Sequence, residues 1–298
     1  MKVLLYYKYV NIDNKEDFYN NHRDFCNNLK LKGRIIISTE GLNGTVSGSE
    51  DDCNRYIKFV KSDDRFSDIE FKIDDCDKHL FPKLTIKIKP FLIKLSELDI
   101  IEPNIETGTH ISGKEFNRMM KSEDSIVLDV RSDYEHFIGK FKDSITLDIK
   151  KFYHFPEAIQ NHPILSNELN KSKNILTYCT GGVRCETAST FLKQIGFKNV
   201  YQLDGGIIKY GLEENGKDFD GKCYVFDSRV AIDVNSINPK VITKCYNCKE
   251  DCDKMINCMN TKCNRHITMC YQCYDLFDSC CSIKCKESGN FRKKIILY

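Results

Sequence analysis

Ten of the chain's sixteen cysteines fall between positions 245 and 285, and a segment so composed cannot fold by the means open to the rest. It holds few aliphatic residues, so metal has to replace a hydrophobic core there. A chain without an export signal is expected to keep its cysteines as thiols or metal ligands. The close pairs Cys245/Cys248, Cys258/Cys263, Cys270/Cys273 and Cys281/Cys285 supply thiolates for two tetrahedral sites, hence two structural zinc ions. An interleaved assignment joins 245/248 with 270/273 and 258/263 with 281/285. A sequential assignment is also open, Cys280 could stand in for Cys281, and His266 for a thiolate. The competing reading, a reduced metal-free tail, leaves many thiols open to oxidation.

The residues before this segment have the composition of ordinary buried cores. The full chain of 298 residues is 41% hydrophobic, enough for roughly two domains. Basic and acidic residues nearly cancel, 45 against 43, so any affinity for nucleic acid has to come from local patches. Met1 to Lys8 reads as a first strand instead of an export signal, and no apolar run is long enough for a membrane helix, so a cytoplasmic protein is expected. Short strand-like runs at 2–10, 34–38, 44–48, 68–74 and 83–89, with helical patterns near 16–31 and 50–61 between them, predict a ferredoxin-like α+β domain over 1–92. Gly41-Leu42-Asn43-Gly44 reads as a turn. Pro90, Pro103 and Gly108 mark a linker at 93–110.

From 111 to 222 strands and helices alternate, which predicts a parallel α/β sheet with its chemistry at the carboxyl ends of the strands. Residues 125–131, 174–178 and 199–203 read as strands, and Cys185 to Ile195 as a helix stopped by Gly196. Cys179 sits at such a strand end. Cys179-Thr180-Gly181-Gly182-Val183-Arg184 joins it to a helix amino terminus, and the paired glycines allow successive backbone N–H groups to converge on one anion. Arg184 adds positive charge, so a thiolate or a persulfide at Cys179 is stabilised. Four residues between Cys and Arg make a ring too tight for a phosphoryl group, which disfavours a phosphatase. Cys185 follows directly and is either a resolving thiol or a core residue.

Asp129-Val130-Arg131 with Tyr134-Glu135, Gly139-Lys140-Phe141, the Cys179 loop and Leu203-Asp204-Gly205-Gly206-Ile207 together resemble a rhodanese domain. Glu40-Gly41-Leu42-Asn43-Gly44-Thr45, the loop continued through Cys185-Glu186, and Cys223-Tyr224-Val225-Phe226-Asp227-Ser228-Arg229 are more specific. They resemble the rhodanese-containing tRNA uridine hydroxylase family over nearly the whole chain. The resemblance implies an acylphosphatase-like domain, then a rhodanese domain, then an extension over 223–298 that carries the cysteine-rich module at about 245–285. It also implies oxygen-dependent conversion of the tRNA wobble uridine, position 34, to 5-hydroxyuridine, with Cys179 catalytic. Two departures stand out. Gly139-Lys140-Phe141 and then Asp143-Ser144 stand where rhodaneses usually have Gly-His-Phe followed by Gly-Ala, and Val10 to Asp17 lacks the arginine and glycines of an acylphosphatase phosphate cradle. The first domain is therefore expected to face RNA or serve structure.

In Lys83-Leu84-Thr85-Ile86-Lys87-Ile88-Lys89 the period of two places Lys83, Lys87 and Lys89 on one face, a row able to follow a phosphate backbone or merely a solvated edge. Two catalytic readings share the Cys179 thiolate. In the first, it adds to C6 of uracil and makes C5 electron-rich toward dioxygen; in the alternative, a sulfurtransferase, it carries sulfane sulfur as a persulfide. A third, a catalytically dead rhodanese fold used as a docking or zinc scaffold, is disfavoured because Cys179 and Arg184 are both present. None of His22, His79, His110, His136, His154, His162 and His266 forms a recognisable iron triad with a carboxylate, and no flavin or nicotinamide fingerprint is found.

Overall fold

The computed structural model describes residues 1–96 and 101–292. The chain opens β1 (Lys2–Tyr9), α1 (Lys15–Asn27), β2 (Lys32–Ser38), β3 (Gly41–Gly48), α2 (Glu50–Lys61), β4 (Phe71–Asp75) and β5 (Leu84–Ile88). The helices start where side chains cap them: Asn14 accepts from the Asp17 N–H and Ser49 from that of Asp52. The strands form one sheet in the order β4-β1-β3-β2-β5, in which β5 lies parallel to β2 and the other pairs are antiparallel. Alternation divides its two faces. Leu4, Tyr6, Ile35, Ile37 and Val46 are buried with Cys26, Tyr56 and Val60 of α1 and α2, whereas Leu5, Tyr7, Arg34, Ile36, Asn43 and Thr45 point the other way, toward the Cys179 loop.

The turn expected at 41–44 lies earlier, at Thr39–Glu40, and 41–44 is strand. Its glycines serve close approach instead. A Cβ at Gly44 would stand 2.2 Å from the Tyr6 hydroxyl, and one at Gly41, at φ +144°, would stand 2.1 Å from the Lys8 carbonyl oxygen.

After the connection, whose Leu92 and Leu95 are buried, come β6 (Thr109–Ile111), α3 (Gly113–Met119), β7 (Ser125–Asp129), α4 (Asp133–Ile138), β8 (Gly139–Phe141), β9 (Ile145–Thr146), α5 (Phe155–Asn161), β10 (Asn174–Tyr178), α6 (Val183–Gln194), β11 (Asn199–Leu203) and α7 (Gly206–Glu214). Strands β6-β11-β10-β7-β9 form an all-parallel sheet in that order. The last two residues of the expected linker thus belong to β6. Between the sheet and its flanking segments Asp129 and Arg131 form a fully buried ion pair at 2.7 Å, which the Tyr178 hydroxyl joins by donating to Asp129. The Asp143 departure is accommodated by a left-handed backbone at φ 59°, while Ser144 bonds the Phe141 carbonyl at 2.8 Å and the Tyr178 hydroxyl at 2.9 Å.

The remainder holds short pieces: β12 (Phe219–Gly221), β13 (Cys223–Tyr224), β14 (Ala231–Ile232), β15 (Met255–Asn257), β16 (His266–Thr268), α8 (Tyr271–Leu276) and α9 (Ile283–Glu287). From Cys245 on, the main core cluster is largely cysteine, joined by the buried Ile267 and Met269. No helix among the described residues is long and apolar enough to cross a membrane.

Candidate active site and metal centres

β10 delivers Cys179 to the carboxyl edge of the parallel sheet, where Gly182, at φ +103°, starts α6. The loop turns back on its own sulfur, and the Gly182 N–H donates to Cys179 Sγ at 3.1 Å. Burial alone would raise the thiol pKa. A hydrogen bond from Cys185, the Arg184 guanidinium and the Arg184 and Gly182 N–H groups outweigh it and bring the thiol below the ordinary cysteine range. Cys185 is held well above that range by its own burial and by the Cys179 charge, so it is the thiol that keeps its proton. Both sulfurs are enclosed in the same core.

The expectation for Arg184 needs a refinement. Its guanidinium grips Glu135 in a bidentate pair, at 2.6 and 2.7 Å, and the Glu135 side chain is completely buried. Arg184 therefore favours the thiolate as one half of a compensated pair, not as a free cation. Glu135 also accepts from the Ser132 N–H at 3.1 Å, so the capping box at the start of α4 aims it. The amino terminus of α7 holds the loop from behind: the Ile207 N–H donates to the Cys179 carbonyl at 3.0 Å and the Ile208 N–H to that of Thr180 at 3.1 Å. Gly206, at φ +66°, allows this approach, since a Cβ there would stand 2.5 Å from the Cys179 carbonyl oxygen.

The open face of the first sheet lies over the loop. Cβ atoms added at Gly181 and Gly182 would meet Leu5 at 2.9 Å and the Tyr7 hydroxyl at 2.6 Å, so the paired glycines admit the neighbouring sheet as well as bending toward sulfur. Tyr7 donates to Glu186 at 3.0 Å, and Tyr9 shares a 3.1 Å hydrogen bond with Thr187. Burial would raise the Glu186 carboxyl, but His110, Gln202 and Thr107 bond to it and hold it low. Between sheet and loop is a cleft of about 300 Å³, walled by Leu5, Tyr7, Arg34, Ile36 and Asn43 on one side and by Cys179, Thr180, Gly181, Val183 and Arg184 on the other, with Phe226 at its margin. Arg34 is exposed, with no carboxylate partner among the described residues.

In the cysteine-rich module, the sulfurs of Cys245, Cys248, Cys270 and Cys273 lie within 4.8 Å of one another, as do those of Cys258, Cys263, Cys281 and Cys285. This is the interleaved arrangement. Cys280 and His266 stand outside both groups. Tetrahedral thiolates around a metal at about 2.3 Å stand about 3.8 Å apart. Sulfur separations of 3.6 Å for Cys248 and Cys270, 3.7 Å for Cys263 and Cys281, and 3.6 Å for Cys281 and Cys285 fit that geometry. Backbone N–H groups of Cys270 and Cys281 point at the Cys245 and Cys258 sulfurs, each at 3.4 Å, as suits thiolate ligands.

A family model described as the UPF0176 acylphosphatase like domain matches residues 1–91, a rhodanese-like domain model matches 112–213, and a rhodanase C-terminal model matches 220–286. A protein of Cytophaga hutchinsonii named tRNA uridine(34) hydroxylase is 48% identical over 285 residues, covering 96% of this chain and 89% of its own length. One of Bacillus licheniformis with the same name is 47% identical over 268 residues, covering 89% and 82%. The chain belongs to the tRNA uridine(34) hydroxylase family. Within this member, the structure brings Cys179, Arg184 and Cys185 together and unites the eight cysteines expected as ligands. Lys83, Lys87 and Lys89 are exposed, and Lys87 pairs in register with Ile36 of the cleft wall. The lysines thus continue the cleft face of the sheet. Lys293 and Lys294, a second basic cluster with Arg292, lie outside the described residues. From the sequence, Glu135, Glu186, Gly206 and Asn43 carry the family resemblance without a place in the site, and Tyr7 and Arg34 are strand residues only. For Tyr7, the alternation along β1 was a usable signal; for Glu135, the capping box was.

Proposed function

We propose that the cleft over Cys179 takes the wobble uracil of tRNA and that this chain converts it to 5-hydroxyuridine. The observation that carries the reading is a chamber large enough for a base, with the thiolate-favouring Cys179 among the residues of one wall and, opposite it, a sheet that presents an arginine with no carboxylate partner among the described residues. A rhodanese loop that only moved sulfur would need no such opposing wall. Arg34 is placed to meet the phosphate of the bound nucleotide, and Lys87, with Lys83 and Lys89 beyond it, extends that charge along the sheet edge.

In the step this geometry supports, the Cys179 thiolate adds to C6 of the uracil and the electron pair of the C5–C6 bond moves toward C5, which becomes nucleophilic. One atom of dioxygen ends as the C5 hydroxyl and the other as water. That balance needs two electrons and two protons. Closing a disulfide between Cys179 and Cys185, once C6 is released, supplies both, and reduction by an external thiol resets the pair. Two zinc ions held by the eight clustered cysteines serve structure, since four thiolates leave no position for water.

The test is nucleoside mass spectrometry of tRNA from cells lacking the gene. Wild-type protein restores 5-hydroxyuridine, while Cys179→Ala does not. Restoration by Cys179→Ala would falsify the assignment, and rapid thiosulfate-to-cyanide transfer with unchanged nucleosides would favour the sulfurtransferase instead.

A further inference from the structure

A groove of about 700 Å³ lies away from Cys179, between α4 and the cysteine-rich module. Two features mark it. The first is exposed aromatic surface: Phe137 of α4 is 51% exposed and Tyr246 of the module 40%. The second is charge. Lys249 and Arg265 are drawn against Tyr246, the former bonding its carbonyl at 2.6 Å and the latter its hydroxyl at 2.7 Å, and neither has a carboxylate partner among the described residues. Asp133 is the single carboxylate among the described lining residues, and Lys150 occupies it.

A series of ring contacts links the groove to the cleft. Phe226, at the cleft margin and 52% exposed, meets Tyr224 edge to face with ring centres 5.2 Å apart. Tyr224 meets Tyr134 at 5.2 Å, and Tyr134 meets His266 at 5.1 Å, inside the groove. Through the buried Tyr224, these contacts tie the margin of the cleft to the module. Aromatic faces interleaved with unpaired cations are the surface that single-stranded nucleic acid requires, because every base can stack and every linkage carries a negative charge.

Resting on the reading of the cleft given above, we propose that this groove is a second RNA site, which takes unstacked bases of the loop next to the uridine held over Cys179. The cysteine-rich module is then part of the substrate-binding surface as well as a metal-stabilised appendage.

The experiment measures binding of the full-length protein to an anticodon stem–loop RNA with uridine at position 34. A parallel measurement follows uridine monophosphate, read as protection of Cys179 from alkylation. Phe137→Ala should weaken stem–loop binding about 5- to 150-fold, the range for loss of one base–aromatic stack. Lys249→Asn, which keeps the left-handed backbone at φ 68°, and Arg265→Gln should each flatten the dependence of log affinity on log salt by about 0.7. Protection by uridine monophosphate should stay at the wild-type level in all three. Unchanged stem–loop binding in the variants overturns the proposal, and so does equal weakening of both ligands. Failure of the wild-type protein to bind the stem–loop at all would overturn the cleft reading along with it.

Discussion

Replacing Gly206 by alanine tests how the reactive loop is held. Its backbone is left-handed, at φ +66°, which costs an L-residue about 1–2 kcal/mol. The new Cβ would stand 2.5 Å from the Cys179 carbonyl oxygen and 2.8 Å from the Gly182 nitrogen. Both neighbours are backbone, so no rotamer change relieves the collision, and overpacking of this kind adds about 1–3 kcal/mol. Gly206→Ala is therefore expected to cost about 2–5 kcal/mol in all. Gly196 provides the control. It is also left-handed, at φ +97°, but a Cβ there meets only the end of the Lys171 side chain at 3.6 Å, so Gly196→Ala should cost the backbone part alone, about 1–2 kcal/mol. Urea unfolding at constant m-value reads both. The second readout is the Cys179 titration, followed by ultraviolet thiolate absorbance as the difference between each variant and its Cys179→Ser counterpart. Gly206→Ala should move the thiol back up toward the ordinary cysteine range by displacing the N–H groups that face the sulfur, and Gly196→Ala should not. The reasoning fails if the two variants unfold within about 0.5 kcal/mol of each other and titrate alike.

Glu135→Gln leaves the Arg184 cation buried without its counter-charge, for an expected loss of about 3–5 kcal/mol by chemical denaturation. Metal analysis should return two zinc ions per chain; Cys281→Ser should lose one of them, whereas Cys280→Ser should lose neither, which separates two adjacent cysteines of similar burial. His110 is held up at about 9 by its hydrogen bonds to Asp204 and then Glu186. A raised folded-state pKa means that its stabilising contribution is complete below the ordinary histidine value of about 6.5 and disappears as pH rises through about 9. His110→Gln should accordingly lower the unfolding midpoint at about pH 6 and make little difference at about pH 10; an equal effect at both would exclude the charge as the cause.

The sequence made some of these features legible because their determinants are local. The thiolate pairs of the module could be read from spacing, and the lysine face of β5 from alternation. Gly41 and Gly44 misled for a physical reason: a glycine gives room as readily as it turns a chain, and here Tyr6 and the Lys8 carbonyl needed the room. The partner of Arg184 was hidden because Glu135 reaches it only after two separate strand–helix units have packed side by side. The cleft was hidden for a larger reason. Half of its wall comes from the first sheet, and nothing in the spacing of Leu5, Tyr7 and Arg34 announces which surface they will cover.

The meeting of Leu5 and Tyr7 with the bare backbone of Gly181 and Gly182 has a consequence for how this chain can change over time. A larger residue in the loop would push the first sheet away, and a smaller one at position 7 would admit water beside the sulfur. Neither side can drift without the other answering. The cleft is thus the joint property of two regions that must be inherited, transplanted or redesigned as a pair.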